Sequence, residues 1–408
     1  MDSIELRKPA ARGAAKLWSI SRKGAKLTTV SGSEGKPQKS SVETHADADE
    51  ATRAFDKAMR AKMRDGYALI SDRASAKPGS LVFAGFAAGG GGGLVADVSR
   101  DGRFALTAGH RGAPVAVWVE LIDTLTGARR VVFERAHPRQ LFLHSADFDH
   151  TGDHALITVD NETFVVELAT GATRTVAKYG GAPRGVANSN FNPHVLRPSH
   201  DRARKRWCVF DAKTVVRVLD ERLATVCEIP LEHPTTELRA ASVSPDGTLI
   251  ALYRVSRSIL YGQDDAKDDQ TQQIEIRRSD NGALVNAIDV ARAVTSVTLT
   301  PDNKRLAVQW EHESGPRLLD AKTGRELAQP RGKDGREQHA FAWDFSLAGH
   351  TLAVGTYGLR LLDGASLADR SERLERWPSF DPTRYVSFCD DDRLLASGRP
   401  GAITLHRA

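Results

Sequence analysis

A mainly β fold, a seven-bladed β-propeller preceded by a small α+β module, is predicted by three features of the sequence. From residue 80 to the end, a unit of alternating strand, polar turn and apolar strand recurs. Asp-Gly and Asn-Gly turns punctuate it at hairpin spacing. The net positive charge and the one clear amphipathic helix, by contrast, fall in the first 79 residues: these hold 16 Lys and Arg against 10 Asp and Glu, while the remainder is close to balanced.

The elements of the first part follow in order. Leu17–Ile20 and Lys26–Val30 read as two short strands joined at Arg22-Lys23-Gly24, and Ser31–Pro37 reads as a turn-rich loop. A helix follows. Asp47, Asp49 and Glu50 place negative charge at its start, Ala51, Phe55, Met59 and Met63 repeat at i+4 as one apolar stripe, and Gly66 caps it after Lys62 and Arg64. The stripe is expected to pack on the strands.

The repeat is clearest in Val98–Leu106, Phe148–Leu156, Val243–Ala251, Leu299–Ala307, Phe345–Ala353 and Phe388–Ala396, each centred on a polar turn such as Ser244-Pro245-Asp246-Gly247. A degenerate copy at Leu196–Arg202, running into Arg206–Phe210, makes seven. A second signature, a strand entering a Gly-bearing turn, recurs at Leu121–Gly127, Val165–Gly171, Ile274–Gly282, Leu318–Gly324 and Leu361–Gly364. Glycine supplies the positive φ of tight turns, so each unit reads as four antiparallel strands. The 329 residues after position 79 give 47 per unit, close to the ~40–45 of WD-type repeats. The last unit supplies only three strands, Arg384–Cys389, Arg393–Ser397 and Ala402–Arg407. Ser80–Phe86 is expected to add the fourth and shut the ring, because an open ladder of backbone groups invites aggregation. The expected domains are therefore residues 1–75 and 76–408.

Two resemblances follow from these residues. Lys16 to Ile70, with Leu17-Trp18-Ser19-Ile20, Gly32, Gly35, Gln38, the acidic helix start Asp47–Glu50 and Met63-Arg64-Asp65-Gly66-Tyr67, resembles the WGR domain, a β-sheet module with a packed helix found in poly(ADP-ribose) polymerases and in many bacterial proteins. The family's Trp-Gly-Arg aligns with Ser31-Gly32-Ser33, so only the glycine is kept. The resemblance implies the fold, whereas the aromatic and guanidinium groups that would contact nucleic acid are missing. The later units resemble WD repeats in their Ser-Pro-Asp-Gly turns, although the Trp-Asp of that family is absent from its place: Trp343-Asp344 lies at the start of a first strand.

With 40% hydrophobic and 27% charged residues over 408 positions, the chain fits neither a disordered nor a collagen-like composition. Met1–Ala10 carries Arg7 and Lys8 with no apolar core behind them, so no leader, no membrane span and a cytoplasmic location are expected. Cys208, Cys227 and Cys389 are expected to be reduced thiols, and neither they nor the scattered histidines, His150 and His154 included, have metal-ligand spacing. No metal and no cofactor site is expected. Gly89–Gly93 lacks the strand-loop-helix context of a phosphate loop and reads as a flexible link, and the acidic run Gln263–Gln270 lacks calcium-loop spacing and reads as a solvated insertion. Trp118, Trp207, Trp310, Trp343 and Trp377 are expected to pack between blades.

No nucleophile motif is present, so the leading expectation is a non-enzymatic scaffold that offers blade loops to a protein partner and carries the basic module on a flexible tether. The second is a nucleic-acid-binding regulator whose phosphate contacts are Arg22, Lys23, Lys36 and Lys39. The basic run Arg202, Arg204, Lys205 and Arg206, read as a rim patch, is the other candidate for nucleic acid or an acidic partner. The third is a propeller enzyme with a site in the central channel.

Overall fold

The computed structural model describes residues 2–10, 12–86, 96–112, 115–136, 143–159, 162–178, 198–211, 215–230, 236–256, 272–311, 313, 315–329, 340–371, 374, 383–399 and 402–408. Gly89–Gly93, Gln263–Gln270, Arg197 and Trp377 lie outside the described residues. The chain forms two compact units: Met1–Gln140 with Tyr357–Leu359 and Glu372–Ala408, and Leu141–Thr356 with Arg360–Ser371. The boundary expected after residue 75 falls inside the first unit.

The first unit opens with a four-stranded antiparallel sheet in sequence order, β1 (Ser3–Lys8), β2 (Lys16–Lys23), β3 (Lys26–Ser33) and β4 (Lys39–Thr44), followed by helix α1 (Ala48–Arg64). Alternation explains the core: Ile4, Leu6, Trp18, Ile20 and Leu27 pack with the helical stripe Ala51, Phe55, Met59 and Met63. Asp47 accepts a hydrogen bond from the Glu50 amide at 2.7 Å and the Glu50 carboxylate accepts one from the Ala46 amide at 2.8 Å, so the helix starts on a reciprocal cap. The strands are longer than the sequence predicts. Ser31–Ser33 belongs to β3, not to a loop, because Ser31 pairs with Trp18 and Ser33 with Lys16.

After α1 come β5 (Leu69–Ile70), β6 (Leu81–Phe86) and a four-stranded sheet of β7 (Ala96–Val98), β8 (Phe104–Gly112), β9 (Val115–Asp123) and β10 (Arg129–Ala136). The second unit holds β11 (Leu143–Phe148), β12 (His154–Val159), β13 (Glu162–Glu167) and β14 (Thr173–Lys178) as one sheet; β15 (Ser199–His200), β16 (Trp207–Asp211), β17 (Val215–Leu219) and β18 (Thr225–Pro230) as the next; then β19 (Thr236–Val243), β20 (Leu249–Ser256), β21 (Gln272–Arg278) and β22 (Leu284–Asp289). Its last two sheets are β23 (Val294–Leu299), β24 (Arg305–Trp310), β25 (Arg317–Asp320) and β26 (Glu326–Ala328), and the three-stranded β27 (Ala342–Phe345), β28 (Thr351–Gly355) and β29 (Leu359–Asp363). The chain returns to the first unit with β30 (Tyr385–Cys389), β31 (Leu394–Arg399) and β32 (Ala402–Arg407). These seven up-and-down antiparallel sheets, preceded by the α+β module, make the fold mainly β and that of a seven-bladed propeller.

β6 pairs with β32, Ala402 opposite Phe86 and Thr404 opposite Ala84. The final sheet has five strands instead of the expected four, because β5 pairs with the other side of β6. The expected flexible tether is corrected at the same place: Leu81 and Ala84 of β6 are buried in the same cluster as Phe55 and Met59, and Arg7 and Ala68 exchange backbone hydrogen bonds at 2.8 Å. Module and closing sheet share a core.

Apolar clusters fill the space between successive sheets. Leu156 and Val165 of one blade meet Trp207, Val209 and Leu219 of the next, and Ile274 and Ile276 meet Val308 and Trp310. Trp118, Trp207 and Trp310 are buried and Trp343 partly so. The polar turns carry their own locks. Ser244 Oγ donates to Asp246 at 2.6 Å and accepts from the Leu249 amide at 2.9 Å, while Gly247 takes φ +75°. Ser99-Asp101-Gly102 and Thr300-Asp302-Asn303 repeat the arrangement. At Leu361–Gly364 the positive φ falls on Leu367 and not on the expected glycine. Gly364 is required for a different reason: a Cβ there would lie 1.9 Å from the Gly349 carbonyl oxygen.

Candidate functional site

The basic residues singled out in the sequence divide between the two units, four in the first and four in the second. Within the module they differ from one another. Arg22 is not an open phosphate ligand: its guanidinium donates to Asp2 Oδ1 at 2.6 Å, to Thr52 Oγ1 and to the Ala48 carbonyl, and so ties the N-terminal strand to the start of α1. Lys23, at the end of β2, Lys36, in the β3–β4 turn, and Lys39, at the start of β4, are exposed and form no ion pair among the described residues. Ser31 and Gly32, where the resemblance places the tripeptide, lie in β3 opposite Trp18 and Leu17.

Within the run Arg202–Arg206, Arg202 and Arg204 turn inward, while Lys205 is exposed and Arg206 half-buried. The run is the turn between β15 and β16, and it reproduces the Asp149–His154 turn of the preceding blade: Asp201 Oδ1 accepts from the Arg206 amide at 2.7 Å, as Asp149 Oδ1 accepts from the Gly152 and His154 amides. Arg204 stands where that turn has Gly152 and adopts φ +58°. The repeat is thus present in this blade, but displaced a few residues along from Leu196–Arg202. Arg204 is only 4% exposed; its guanidinium lies over the Phe148 ring and donates to the Phe148 carbonyl at 2.7 Å, while its own carbonyl accepts from Trp207 Nε1 at 3.0 Å. Arg202 donates to the Phe345 carbonyl at 2.7 Å, joining the end of β27 to this turn. Lys205 is exposed, 3.8 Å from Glu221. Guanidinium groups aimed at strand-end carbonyls satisfy acceptors that would otherwise be buried without partners, so the charge here serves packing. His154 stays partly exposed, its Nδ1 3.1 Å from Asp149 Oδ2.

A feature the sequence reading missed lies on the outer strands. In β10, β14, β18, β22 and β26 the pairing with the preceding strand skips one residue, leaving Val132, Val176, Val226, Val285 and Leu327 as the extra residue of a bulge. A bulge re-aims side chains. Val226 and Leu327 are exposed, and Leu284 and Val285 are each 53% exposed, all in the second unit. Beside Leu327, residues 326–329 and 365–368 line a groove of about 540 Å³. The signal that marks these positions is an apolar residue breaking the two-residue alternation a few places after the Gly-type turn.

No family model matches the chain, and no curated protein matches it. Solved structures do. A chain of the crystal structure of a mitotic checkpoint complex aligns over 77% of this chain and 86% of its own length at 14% identity, with a TM-score of 0.52. A chain of the hydrazine synthase of Kuenenia stuttgartiensis aligns over 78% of this chain and 96% of its own length at 16% identity, with a TM-score of 0.53. Both likenesses concern the fold alone, and they agree with the β-propeller architecture described above.

Proposed function

We propose that the chain is a non-enzymatic protein-interaction scaffold whose docking residues are the apolar side chains that the bulged outer strands turn to solvent. The observation that carries the reading is the repetition of Val226, Leu284 with Val285, and Leu327 at equivalent places in three successive blades of one unit. Exposed apolar side chains gain free energy when docking takes them out of water, and the propeller fold holds them on paired strands, where little entropy is lost on binding. The likeness to a chain of a multiprotein mitotic complex supports protein partners in general. In this reading β6 shuts the ring through β32, and Cys208, Cys227 and Cys389 are thiols suited to the reducing cytoplasm; burial pushes the Cys208 thiol up to about 12.

The test is quantitative capture from the native host with the full chain and with a Val285→Asp/Leu327→Asp variant that melts normally. A defined protein recovered by the first and lost by the second supports the proposal. Equal recovery by both overturns this surface.

A second reading, nucleic-acid binding through the WGR-like module, is favoured by the exposed Lys23, Lys36 and Lys39. With Arg22 tied to Asp2, three contacts would give a salt slope of roughly −3 on duplex DNA. No binding of the full chain to duplex or single-stranded DNA at low salt disposes of it.

A further inference from the structure

We propose that β4 is a self-pairing edge, so that two copies of this chain join their module sheets in an antiparallel two-fold ladder centred on Ser41. β4 pairs with β3 alone, all six of its residues are exposed, and its register from Lys39 opposite Ser31 to Thr44 opposite Lys26 is unbroken. Every four-stranded blade whose outer strand is described carries a bulge on that strand, the device by which sheets discourage edge pairing. β4 has none, and no proline interrupts it.

The backbone fixes which residues can pair. His45 donates to the Ala25 carbonyl at 2.9 Å, in the same register that sets Thr44 opposite Lys26. In an antiparallel ladder, residues alternate between bonding the neighbour and facing away. Lys39, Ser41 and Glu43 therefore bond to β3, and Ser40, Val42 and Thr44 direct their amide and carbonyl groups to the open side. Two such edges can meet only with outward residues opposite outward residues. Centring on Ser41 sets Ser40 against Val42 and, at the non-hydrogen-bonded positions where side chains come closest, Lys39 against Glu43 twice. Centring on Val42 sets Lys39 against His45, and centring on Ser40 sets it against Ser41. Only the Ser41 register pairs opposite charges, and the sequence Lys39-Ser-Ser-Val-Glu43 is complementary to itself in it.

The register is testable on the full chain. Ser41 would face its own copy with Cα atoms about 4.5 Å apart, within disulfide reach. Ser41→Cys should form an intermolecular disulfide under mild oxidation, beyond any shown by the unsubstituted chain with its three native thiols, and Ser40→Cys should not. Sedimentation velocity over a concentration series should show a dimer. Val42→Pro, which removes an outward donor and leaves the bonds to β3, should be monomeric with unchanged melting. Lys39→Glu should weaken the dimer about tenfold, and Lys39→Glu/Glu43→Lys should restore it. A chain monomeric at every concentration, equal cross-linking of both cysteine variants, or a charge swap that fails to restore association overturns the proposal.

Discussion

The module and the blades of the second unit receive similar ingredients and use them in opposite ways. Both contain basic runs and both end in sheet edges. In the blades, Arg202 and Arg204 are drawn in to strand-end carbonyls, and the outer edges are broken by bulges. In the module, Lys23, Lys36 and Lys39 stay in solvent and β4 presents an unbroken edge. A charged stretch or a strand thus acquires its role from what packs beside it: the second-unit turn sits among buried carbonyls, whereas nothing pairs with the outer side of β4 among the described residues.

The largest effect should come from turning a covered edge into an open one. Removing residues 80–86 strips β6 from β32 and takes Leu81, Phe83 and Ala84 out of two clusters. The expected result is aggregation or loss of a cooperative melt, read by size-exclusion chromatography and calorimetry; a truncated chain that melts like the full one breaks the comparison at its base. Next in size, Arg204→Ala leaves the Phe148 carbonyl without its guanidinium donor and should cost about 1–3 kcal/mol in denaturant unfolding, while Lys23→Ala should leave the midpoint unchanged. Equal effects would show that the two basic sets do not differ.

Deleting Val285 should give β22 the unbroken register that β4 has, at a cost of about 1 kcal/mol in stability. Light scattering should then rise with protein concentration above that of the unaltered chain, and unchanged scattering would argue that bulges do not guard these edges. The smallest effect is electrostatic. Amide and hydroxyl donors from Ser366 and the Ala365 amide, with Arg370 nearby, hold the Asp363 carboxyl down to about 2. The folded chain thus binds this proton less readily than the unfolded chain. Its contribution is complete above about pH 3.8 and disappears as pH falls through about 2. Acid unfolding of Asp363→Asn should be shallower across that window.

Much of this was legible in the sequence where the cause is local. The Ser244–Gly247 turn, the acidic helix start at Asp47–Glu50 and the 51-55-59-63 stripe each depend on residues a few positions apart, and each lies where the spacing puts it. The Asp201–Arg206 turn was harder to see because arginine replaces glycine at the positive-φ position, and only the Asp201 hydrogen bonds identify it. β4 left no signal, since Lys-Ser-Ser-Val-Glu-Thr exposes both faces and lacks apolar alternation. The bulges went unnoticed, because one extra residue changes register without changing composition.

The period, the turn chemistry, the helix over 48–64 and the need for a strand to partner the last three are written in local sequence. These are set by backbone φ, capping and alternation, which act over a handful of residues. Long-range packing sets the rest: β6 also serves the module core, Arg22 and Arg204 are bound while Lys39 is open, and among the described outer strands β4 is regular where five others are bulged. Those outcomes depend on carbonyls, carboxylates and strands brought close from distant parts of the chain, and a side chain's exposure is a property of that company.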